Sequence, residues 1–353
     1  MNVGAETLLL PYGEKLETTI KNVTDSMKAQ VLEWLLREEN PSVRYYALTR
    51  LLQKPENDPL VQQTLKDIMQ VGVVPKILEK QNEDGSWGAP LRFYRNKYGG
   101  TVWQIMILAE LFANPEDLRV RKACEFILEN SQEQERFGFA YDKAAKSKGG
   151  RASEVIPCLT GNMVWSLIRL GMLEDELVQK GIDWICKYQR ADDDRSEFPE
   201  DWPYKRFEPC YGRHSCHMGV VKSLKALAEI APEKRSPAVK EKIETLAEYL
   251  LIHHIFKKSH ELDKVSRPGW LKPGFPLMYQ TDILEILEIL VKLGYHDPRM
   301  EEAHDILVKK QSPKGRWKLE NTFNGRMLVN IEQKGKDSKW ITAKVLFVLM
   351  PEG

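Results

Sequence analysis

Six helix-length segments rich in apolar, small and aromatic residues recur at nearly constant intervals along this chain of 353 residues. Their starts, at 42, 99, 160, 214, 280 and 338, are separated by 57, 61, 54, 66 and 58 residues. Uniform apolarity is typical of a helix buried on both sides, and near-constant spacing indicates a structural repeat. We call these the inner helices and predict them at 42–53, 99–113, 160–171, 214–230, 280–294 and 338–349.

Six amphipathic segments with a charged face alternate with the inner helices. Period-2 alternation of polar and apolar residues is nearly absent, so the sequence predicts an all-α chain. The pattern fits six helical hairpins in one domain over 1–353, with an irregular extension at 1–24. An open solenoid has the same periodicity, but we favour closure into an (α/α)6 barrel, or α/α toroid. The outer helices are predicted at 25–37, 62–80, 116–130, 173–189, 236–256 and 297–311.

The charges of the chain are balanced and mixed. Lys and Arg total 52 and Asp and Glu total 51, with the two signs interleaved, which predicts no nucleic-acid partner. No run approaches the roughly 20 apolar residues of a transmembrane segment, and the apolar run near the N-terminus is too short for a signal peptide. We therefore expect a cytoplasmic protein. Five cysteines without a C-x-x-C pair predict free thiols or metal ligands.

Two segments that directly follow outer helices share the pattern Q-x-x-x-G-x-W, at 81–87 and 311–317. A glutamine at a helix end can bind unpaired carbonyls, glycine permits a left-handed turn, and tryptophan can fold back over the junction between hairpins. We interpret both segments as structural clasps. Weaker copies pair Gln132 with Gly138 and Phe139, and Gln189 with Phe198.

The clasps resemble the QW repeats of squalene-hopene cyclases, and the whole chain resembles the prenyltransferase and squalene-cyclase-like α-toroids. The resemblance implies an (α/α)6 barrel with a hydrophobic central cavity that handles isoprenoid chains, by cyclisation or by prenyl transfer to a thiol. Squalene-type cyclases use two such barrels. Protein prenyltransferases need a separate helical subunit, so the resemblance also implies a second subunit as a candidate partner.

If the inner helices run parallel, their N-termini surround one mouth, which the helix dipoles make locally positive. Aromatic residues stand near the start of five inner helices, and their faces would stabilise a cation by about 0.5 to 2 kcal/mol each. The alternative is that they are ordinary core aromatics. The candidate residues for binding an isoprenoid or other apolar ligand at this mouth are Arg44, Tyr45, Trp103, Asn162, Trp165, Tyr279 and Trp340.

Asp282 lies at the start of an inner helix, where hopene cyclases carry an acidic D-x-D-D motif. Gln280 and Thr281 replace the further acids of that motif. We consider Asp282 as a candidate catalytic acid, and the alternative is an N-terminal helix cap. The run Asp192-Asp193-Asp194 follows an outer helix, and we expect it in a solvated turn outside the mouth.

Histidine and cysteine are densest around 210–217. His214 and His217 are three residues apart on one predicted helix, Cys216 is adjacent, and Cys158 precedes the neighbouring inner helix, so the four could hold zinc. His214-Ser215-Cys216 is similar to the prenyltransferase β-subunit segment that supplies a zinc-binding histidine. The Asp and Cys of that site are missing, and hydrogen-bonded or packed cavity residues are the alternative.

Two classes of function follow. The first is an enzyme of terpene cyclase or prenyltransferase type, in which the aromatic ring shields a cation and Asp282, His214 or His217 handles protons. The second is a non-catalytic toroid that binds a ligand or partner, since this architecture also hosts glycan-processing enzymes and binding domains. A zinc-dependent enzyme on a different small substrate is a further alternative.

Overall fold

The computed structural model describes residues 25–193, 203–204, 210 and 214–350, so the predicted extension at 1–24 lies outside the described residues. Helices dominate these ranges, which confirms the all-α prediction. The strands there are limited to one antiparallel hairpin of β1 (Lys257–Lys258) and β2 (Glu261–Val265). None of the helices in the described part is long and apolar enough to cross a membrane.

The inner helices form where the sequence predicts them, apart from shifts of a few residues at their ends. The first continues as a π-helix over Ala47–Leu51. All ten residues of the second are buried, as are all residues of the third except Arg169 at its end. The inner helices are α2 (Pro41–Tyr46), α5 (Thr101–Glu110), α7 (Pro157–Arg169), α9 (His217–Ala228), α11 (Ile283–Lys292) and α13 (Lys339–Leu349).

The outer helices also form as predicted, with one break. The segment predicted at 62–80 is split in two, because Gly72 adopts a left-handed φ of 89° that a continuous helix cannot contain. The outer helices are α1 (Asp25–Leu35), α3 (Pro59–Ile68), α4 (Val73–Leu78), α6 (Leu118–Asn130), α8 (Glu176–Tyr188), α10 (Pro237–Ile252) and α12 (Glu301–Lys309).

From α5 onwards, each inner helix packs against the next one in the chain, in the order α5, α7, α9, α11, α13. Helix α13 in turn contacts α2 and its π-helical extension. The Ser42 hydroxyl of α2 donates a 2.8 Å hydrogen bond to the Leu111 carbonyl at the end of α5. The closest approach is between α7 and α9, where a Cβ on Gly161 would lie 2.5 Å from the Lys222 backbone.

The two clasps have the same hydrogen bonds. The indole nitrogens of Trp87 and Trp317 donate to carbonyls of the preceding outer helices, Ile77 at 2.8 Å and Leu307 at 2.7 Å. Their backbone N–H groups each lie 3.0 Å from a threonine hydroxyl of the next inner helix, Thr101 or Thr342. The tryptophan, and not the glutamine, thus satisfies a helix-end carbonyl.

Glutamine has a different role from the one expected. Gln81 donates to Gly85 of its own turn and to Arg119 at the start of the next outer helix. Gln132, in a weaker copy, donates in the same way to Phe137 and Leu177. The glutamines therefore join successive hairpins to each other. The copy at Gln189 extends to Phe198, which lies outside the described residues.

Candidate functional site

The ten residues proposed from the sequence for binding or catalysis fall into separate places. Trp103, Asn162 and Tyr279 meet at the N-terminal ends of α5, α7 and α11. Trp165 and Trp340 face a different, charged space between the inner helices. Arg44 pairs with Glu38, and Tyr45 packs against Phe112 with ring centroids 4.6 Å apart. His214 and His217 line a third space, and Asp282 is set apart from it.

An aromatic group surrounds the start of α5. The ring centroid of Trp103 lies 5.2 Å from Tyr94, 5.4 Å from Tyr98 and 6.1 Å from Tyr279. Trp103 is buried, whereas Tyr94 and Tyr279 are only partly buried. We call Tyr94, Tyr98, Trp103 and Tyr279 the aromatic group. Only Trp103 and Tyr279 were predicted, because Tyr94 and Tyr98 precede the helix and carry no helical phase.

Two cysteines, Cys158 and Cys210, lie near the aromatic group. Cys158 is in the first turn of α7. Cys216 is at the N-cap position of α9, close enough to Cys210 for each to affect the pKa of the other. Cys158 and Cys210 are close enough to Tyr94 to add to the effect of burial, which raises the pKa of its hydroxyl. All five cysteines are free thiols, as expected.

A cleft of about 530 Å³ opens on the other side of Cys216, against the end of α10 and the β-hairpin. Its wall contains four of the chain's seven histidines. The His217 ring stacks on Trp270 at 4.4 Å and meets His253 edge-on at 5.4 Å. We call it the histidine cleft, and its principal residues are Asp193, His214, Cys216, His217, Tyr249, His253, His260, Arg267 and Trp270.

Asp193 contacts three of the histidines of this cleft. The sequence had predicted that it lies in a solvated turn. Its carboxylate oxygens lie 3.4 Å from His253 Nε2 and 3.3 Å from His260 Nε2, and the Ser259 hydroxyl donates to it. Its carbonyl oxygen lies 2.5 Å from His214 Nδ1. The expectation for Asp193 was wrong because its loop lies beside the residues that precede α9. There, Ser215 N donates a hydrogen bond to the Asp192 carbonyl.

His217 is held as a neutral ring. Burial, together with the nearby His253 and Arg267, lowers its pKa to about 3. Among the described residues its buried Nε2 finds no hydrogen-bond partner. A neutral imidazole nitrogen in a cleft wall can accept a hydrogen bond or donate one, according to its tautomer. His217 is therefore available to a polar group of a ligand.

Two of the residues proposed for zinc have other contacts. His214 Nδ1 is directed at the Asp193 carbonyl, and His217 is stacked on Trp270. Across the described ranges, no three His, Cys, Asp or Glu side chains form a group that could hold a metal ion. Zinc binding by Cys158, His214, Cys216 and His217 stays a prediction.

The space between the inner helices is charged, unlike the hydrophobic cavity that the resemblance implies. It encloses a cavity of about 70 Å³ that Trp165 and Trp340 share with ion pairs. Burial raises the pKa of Glu110, but Lys225 and Lys344 outweigh it and bring that pKa to about 2. The ion pairs are Lys222 and Lys225 with Glu285, Lys225 and Lys344 with Glu110, Lys344 with Glu288, and Arg169 and Lys292 with Glu229.

Asp282 is the N-cap of α11. Its two carboxyl oxygens accept backbone hydrogen bonds from Glu285 at 2.9 Å and Gly274 at 2.8 Å. Burial raises its pKa to about 7. It borders a cavity of about 10 Å³, which has room for about one water molecule. Asp282 is thus a buried capping residue that does not line the histidine cleft.

Comparison with known proteins gives no family. No protein-family model matches the chain, and no curated protein sequence is similar to it. A variant of the type II terpene cyclase MstE from Scytonema, in complex with its substrate geranylgeranyl dihydroxybenzoate, is similar over 95% of this chain and 97% of its own, with 15% identity and a TM-score of 0.43.

Two further solved structures are similar at the same level. A protein from Actinoplanes matches over 95% of this chain and 98% of its own, with 12% identity and a TM-score of 0.44. A family 76 glycoside hydrolase from a bovine Bacteroides thetaiotaomicron strain matches over 88% of this chain and 67% of its own, with 13% identity and a TM-score of 0.47. Because all three TM-scores are below 0.5, they define neither the fold family nor the function of this chain.

Proposed function

We propose that the chain is an (α/α)6 toroid in which the six inner helices form a closed ring. The proposal is supported by the sequence of contacts from α5 through α13 to α2. The hydrogen bond from Ser42 to Leu111 joins α2 to the end of α5, between the first and second inner helices. An open solenoid would leave the first and last repeats apart, whereas here α13 packs on α2.

We further propose that this toroid binds an isoprenoid or another unsaturated, apolar small molecule at the mouth formed by the N-terminal ends of its inner helices. The observation that carries this proposal is the aromatic group, whose Tyr94 and Tyr279 rings remain partly exposed beside Trp103. Flat rings at the edge of a cleft offer apolar contact, and their negative faces attract the slightly positive C–H edges of double bonds. The cleft of about 530 Å³ at the start of α9, whose wall includes Cys216 and His217, has room for a small ligand.

The mouth is a better place for an apolar ligand than the space deeper between the inner helices. An apolar chain placed there would remove the remaining water from Glu229, Glu288 and their lysine and arginine partners, at a cost that dispersion contacts do not offset. The cavity beside Asp282 is too small for a ligand. We therefore propose that this chain binds a ligand at the mouth, and that Asp282 does not transfer a proton to it.

The same ion pairs disfavour a glycan-cleaving function. Glycosidases of the usual type use one carboxyl that keeps its proton and one that is ionised. Glu110, Glu229 and Glu285 all have lowered pKa values: burial raises each pKa, but their lysine and arginine partners outweigh it. Three ionised carboxylates do not supply the acid, and Asp282, whose pKa is raised to about 7, has both oxygens engaged by backbone amides.

Calorimetric titration with two alcohols of equal length tests the binding proposal. Farnesol carries three double bonds, and its saturated counterpart carries none. We expect farnesol to bind more tightly, and Tyr94→Leu or Tyr279→Leu to weaken it about ten-fold, a change of about 1.4 kcal/mol. Tyr45→Leu removes a tyrosine that packs against Phe112 outside the mouth, and it should leave the affinity unchanged.

Three results would contradict the proposal. They are the absence of binding by either alcohol, equal affinity for both, and equal weakening by Tyr45→Leu and Tyr279→Leu. Circular dichroism of each variant verifies that the helices are retained, so that a loss of binding reports the mouth.

A further inference from the structure

The charges that line the cavity of about 70 Å³ between the inner helices are not balanced. Its wall has four acidic residues, which all belong to the ion pairs described above, and five basic residues. Lys222, which pairs with Glu285 of this wall, adds a sixth positive charge. The positive charges remain in excess even if Asp282, beside the neighbouring smaller cavity, is counted as fully ionised. The basic residues of the wall are Arg50, Arg169, Lys225, Lys292 and Lys344.

The excess lies at the C-terminal ends of the inner helices. Arg169 and Lys292 are the last residues of α7 and α11, and their side-chain nitrogens lie 3.1 Å and 2.7 Å from the carboxylate of Glu229, the C-cap of α9. Arg50, in the π-helical extension of α2, lines the same cavity and forms no ion pair with any residue that the structure describes. Arg50, Arg169 and Lys292, which we call the basic group, thus have one carboxylate among them.

The basic group keeps hydrogen-bond donors and positive charge for a further partner. The Arg169 guanidinium lies over the Phe112 ring, 4.3 Å from its centroid, and donates one hydrogen bond to Glu229. Each guanidinium has five N–H groups, so the two arginines have donors left for another acceptor. Burial lowers the pKa of Lys292, and its ion pair with Glu229 does not offset this effect.

Solvent reaches the cavity from the side of the basic group. The exposed fraction of the side chain rises from 0% at Lys222 through 12% at Lys225 to 26% at Lys292, and Arg50 is only partly buried. The cavity has room for several water molecules, and therefore for one compact ion that enters beside Lys292.

Uncompensated cations in a partly enclosed space are costly, because buried charges lose hydration and need partners of opposite sign. A divalent oxyanion would compensate the excess. The partial negative charges at the C-terminal ends of α7, α9 and α11 also attract cations, and they are the alternative partner of the basic group. If the helix ends alone compensated it, an added anion would gain nothing.

We propose that the basic group forms a binding site for one tetrahedral oxyanion of the size of phosphate. The forked N–H groups of the two arginines match pairs of oxygens on such an ion, and the Lys292 ammonium supplies a point charge. The ion is either inorganic phosphate or the terminal phosphate group of a small molecule, which shares this chemistry. The site lies at the other ends of the helices that form the mouth, so it goes beyond the proposed ligand binding there and does not depend on it.

Calorimetric titration of the full-length protein with sodium phosphate at constant ionic strength tests the site. We expect one ion to bind per chain, sulfate to bind comparably, and chloride not to compete. Arg50→Gln should weaken phosphate binding about ten-fold, since it removes a charged donor, and Arg50→Lys, which keeps the charge without the fork, should lie between. Arg121→Gln removes an exposed arginine of the outer helix α6, and it should leave the affinity unchanged.

Urea unfolding separates a loss of binding from a loss of folding. Because Arg50 pairs with no described residue, Arg50→Gln in phosphate-free chloride buffer should unfold at the same urea concentration as the unchanged protein, or at a higher one. Saturating phosphate should raise the midpoint of the unchanged protein clearly more than that of the variant.

Glycerol 3-phosphate distinguishes the two sources of the ion. Binding as tight as that of inorganic phosphate would identify a terminal phosphate group, and its exclusion would identify the free ion; both results support the site. The proposal would be overturned by the absence of phosphate and sulfate binding, by equal effects of phosphate and chloride at matched ionic strength, or by equal weakening in Arg50→Gln and Arg121→Gln. The first of these results would show that the helix ends compensate the basic group by themselves.

Discussion

A single carboxyl illustrates how a residue with catalytic features can have a structural role. Asp282 is buried, has a raised pKa and lies at an inner-helix start, all of which are typical of a catalytic acid. Its two oxygens are nevertheless occupied by the backbone amides of Glu285 and Gly274. A carboxyl with both oxygens engaged in this way fixes the loop before α11 to the helix.

Replacing Asp282 by alanine should therefore destabilise the protein. The change removes an N-cap, which is worth about 1 kcal/mol, and leaves the buried Gly274 N–H without a partner, at a cost of about 1–3 kcal/mol. We expect the free energy of unfolding, measured in urea, to fall by about 2–4 kcal/mol.

Asp282→Asn is the matched variant. It keeps the oxygen that accepts from Glu285 but presents an NH2 group to Gly274, so its loss should be intermediate. An alanine variant as stable as the unchanged protein would contradict the capping role.

At the scale of elements, the clasps depend on backbone geometry that only glycine provides. Gly85 has a left-handed φ of 89°, and a Cβ there would lie 2.5 Å from the Lys122 carbonyl oxygen of the next outer helix. Gly294 has a similar φ of 81°, with no atom within 4 Å of a built Cβ. Substitutions at these two positions therefore distinguish the cost of the left-handed conformation from the cost of steric overlap.

We expect Gly294→Ala to lower the free energy of unfolding by about 1–2 kcal/mol, which is the cost of the left-handed conformation alone. Gly85→Ala should cost clearly more, because the clash also displaces α6 from the clasp. Thermal and urea unfolding of both variants measure the difference. Equal losses would indicate that the clasp does not hold the hairpins together.

The sequence predicted helices well and irregular segments poorly, for physical reasons. A long apolar run such as 160–171 is stable as a buried helix, and the sequence pattern shows this. The break at Gly72 and the hairpin of β1 and β2 depend on short polar segments with weak periodicity. The clasp threonines also could not be predicted as partners, since the bond from Trp317 N to Thr342 joins residues far apart in sequence.

The candidate site was harder to predict than the helices. Helical phase correctly grouped Trp103 with Tyr279, but it also grouped them with Trp165 and Trp340, which face the ion pairs instead. Trp165 lies in the second half of α7, away from the mouth, and its position in the helix explains the difference. Trp340 is the second residue of α13, so position within the helix does not explain its place. The position of Asp193 in the cleft could not be predicted, because the path of an irregular loop leaves no periodic pattern in the sequence.

For the whole molecule, the ion pairs between the inner helices link five of the six hairpins. Glu110 of α5 contacts Lys225 of α9 at 2.6 Å and Lys344 of α13 at 3.4 Å, and Lys344 contacts Glu288 of α11. Arg169 of α7 joins α9 through Glu229. Buried ion pairs contribute little net stability as a set, but removal of one partner leaves an uncompensated charge.

Glu110→Gln should therefore lower the free energy of unfolding at pH 7 by about 3–5 kcal/mol. The pH dependence gives a sharper test. The folded pKa of Glu110 is about 2, against an ordinary value of 4.5, so its stabilising contribution is complete above pH 4.5 and is lost as the pH falls towards 2. Unfolding free energies measured across this range should decline less steeply in the variant than in the unchanged protein.

The exposed Glu261, which pairs with Lys258 and Lys264 on the β-hairpin, provides the control. Glu261→Gln should unfold as the unchanged protein does, because solvent screens exposed pairs. If Glu110→Gln and the unchanged protein lose stability in parallel below pH 4.5, the carboxylate of Glu110 is not held ionised by Lys225 and Lys344. The space between the inner helices would then be open to an apolar ligand, and the preference for the mouth would lose its main argument.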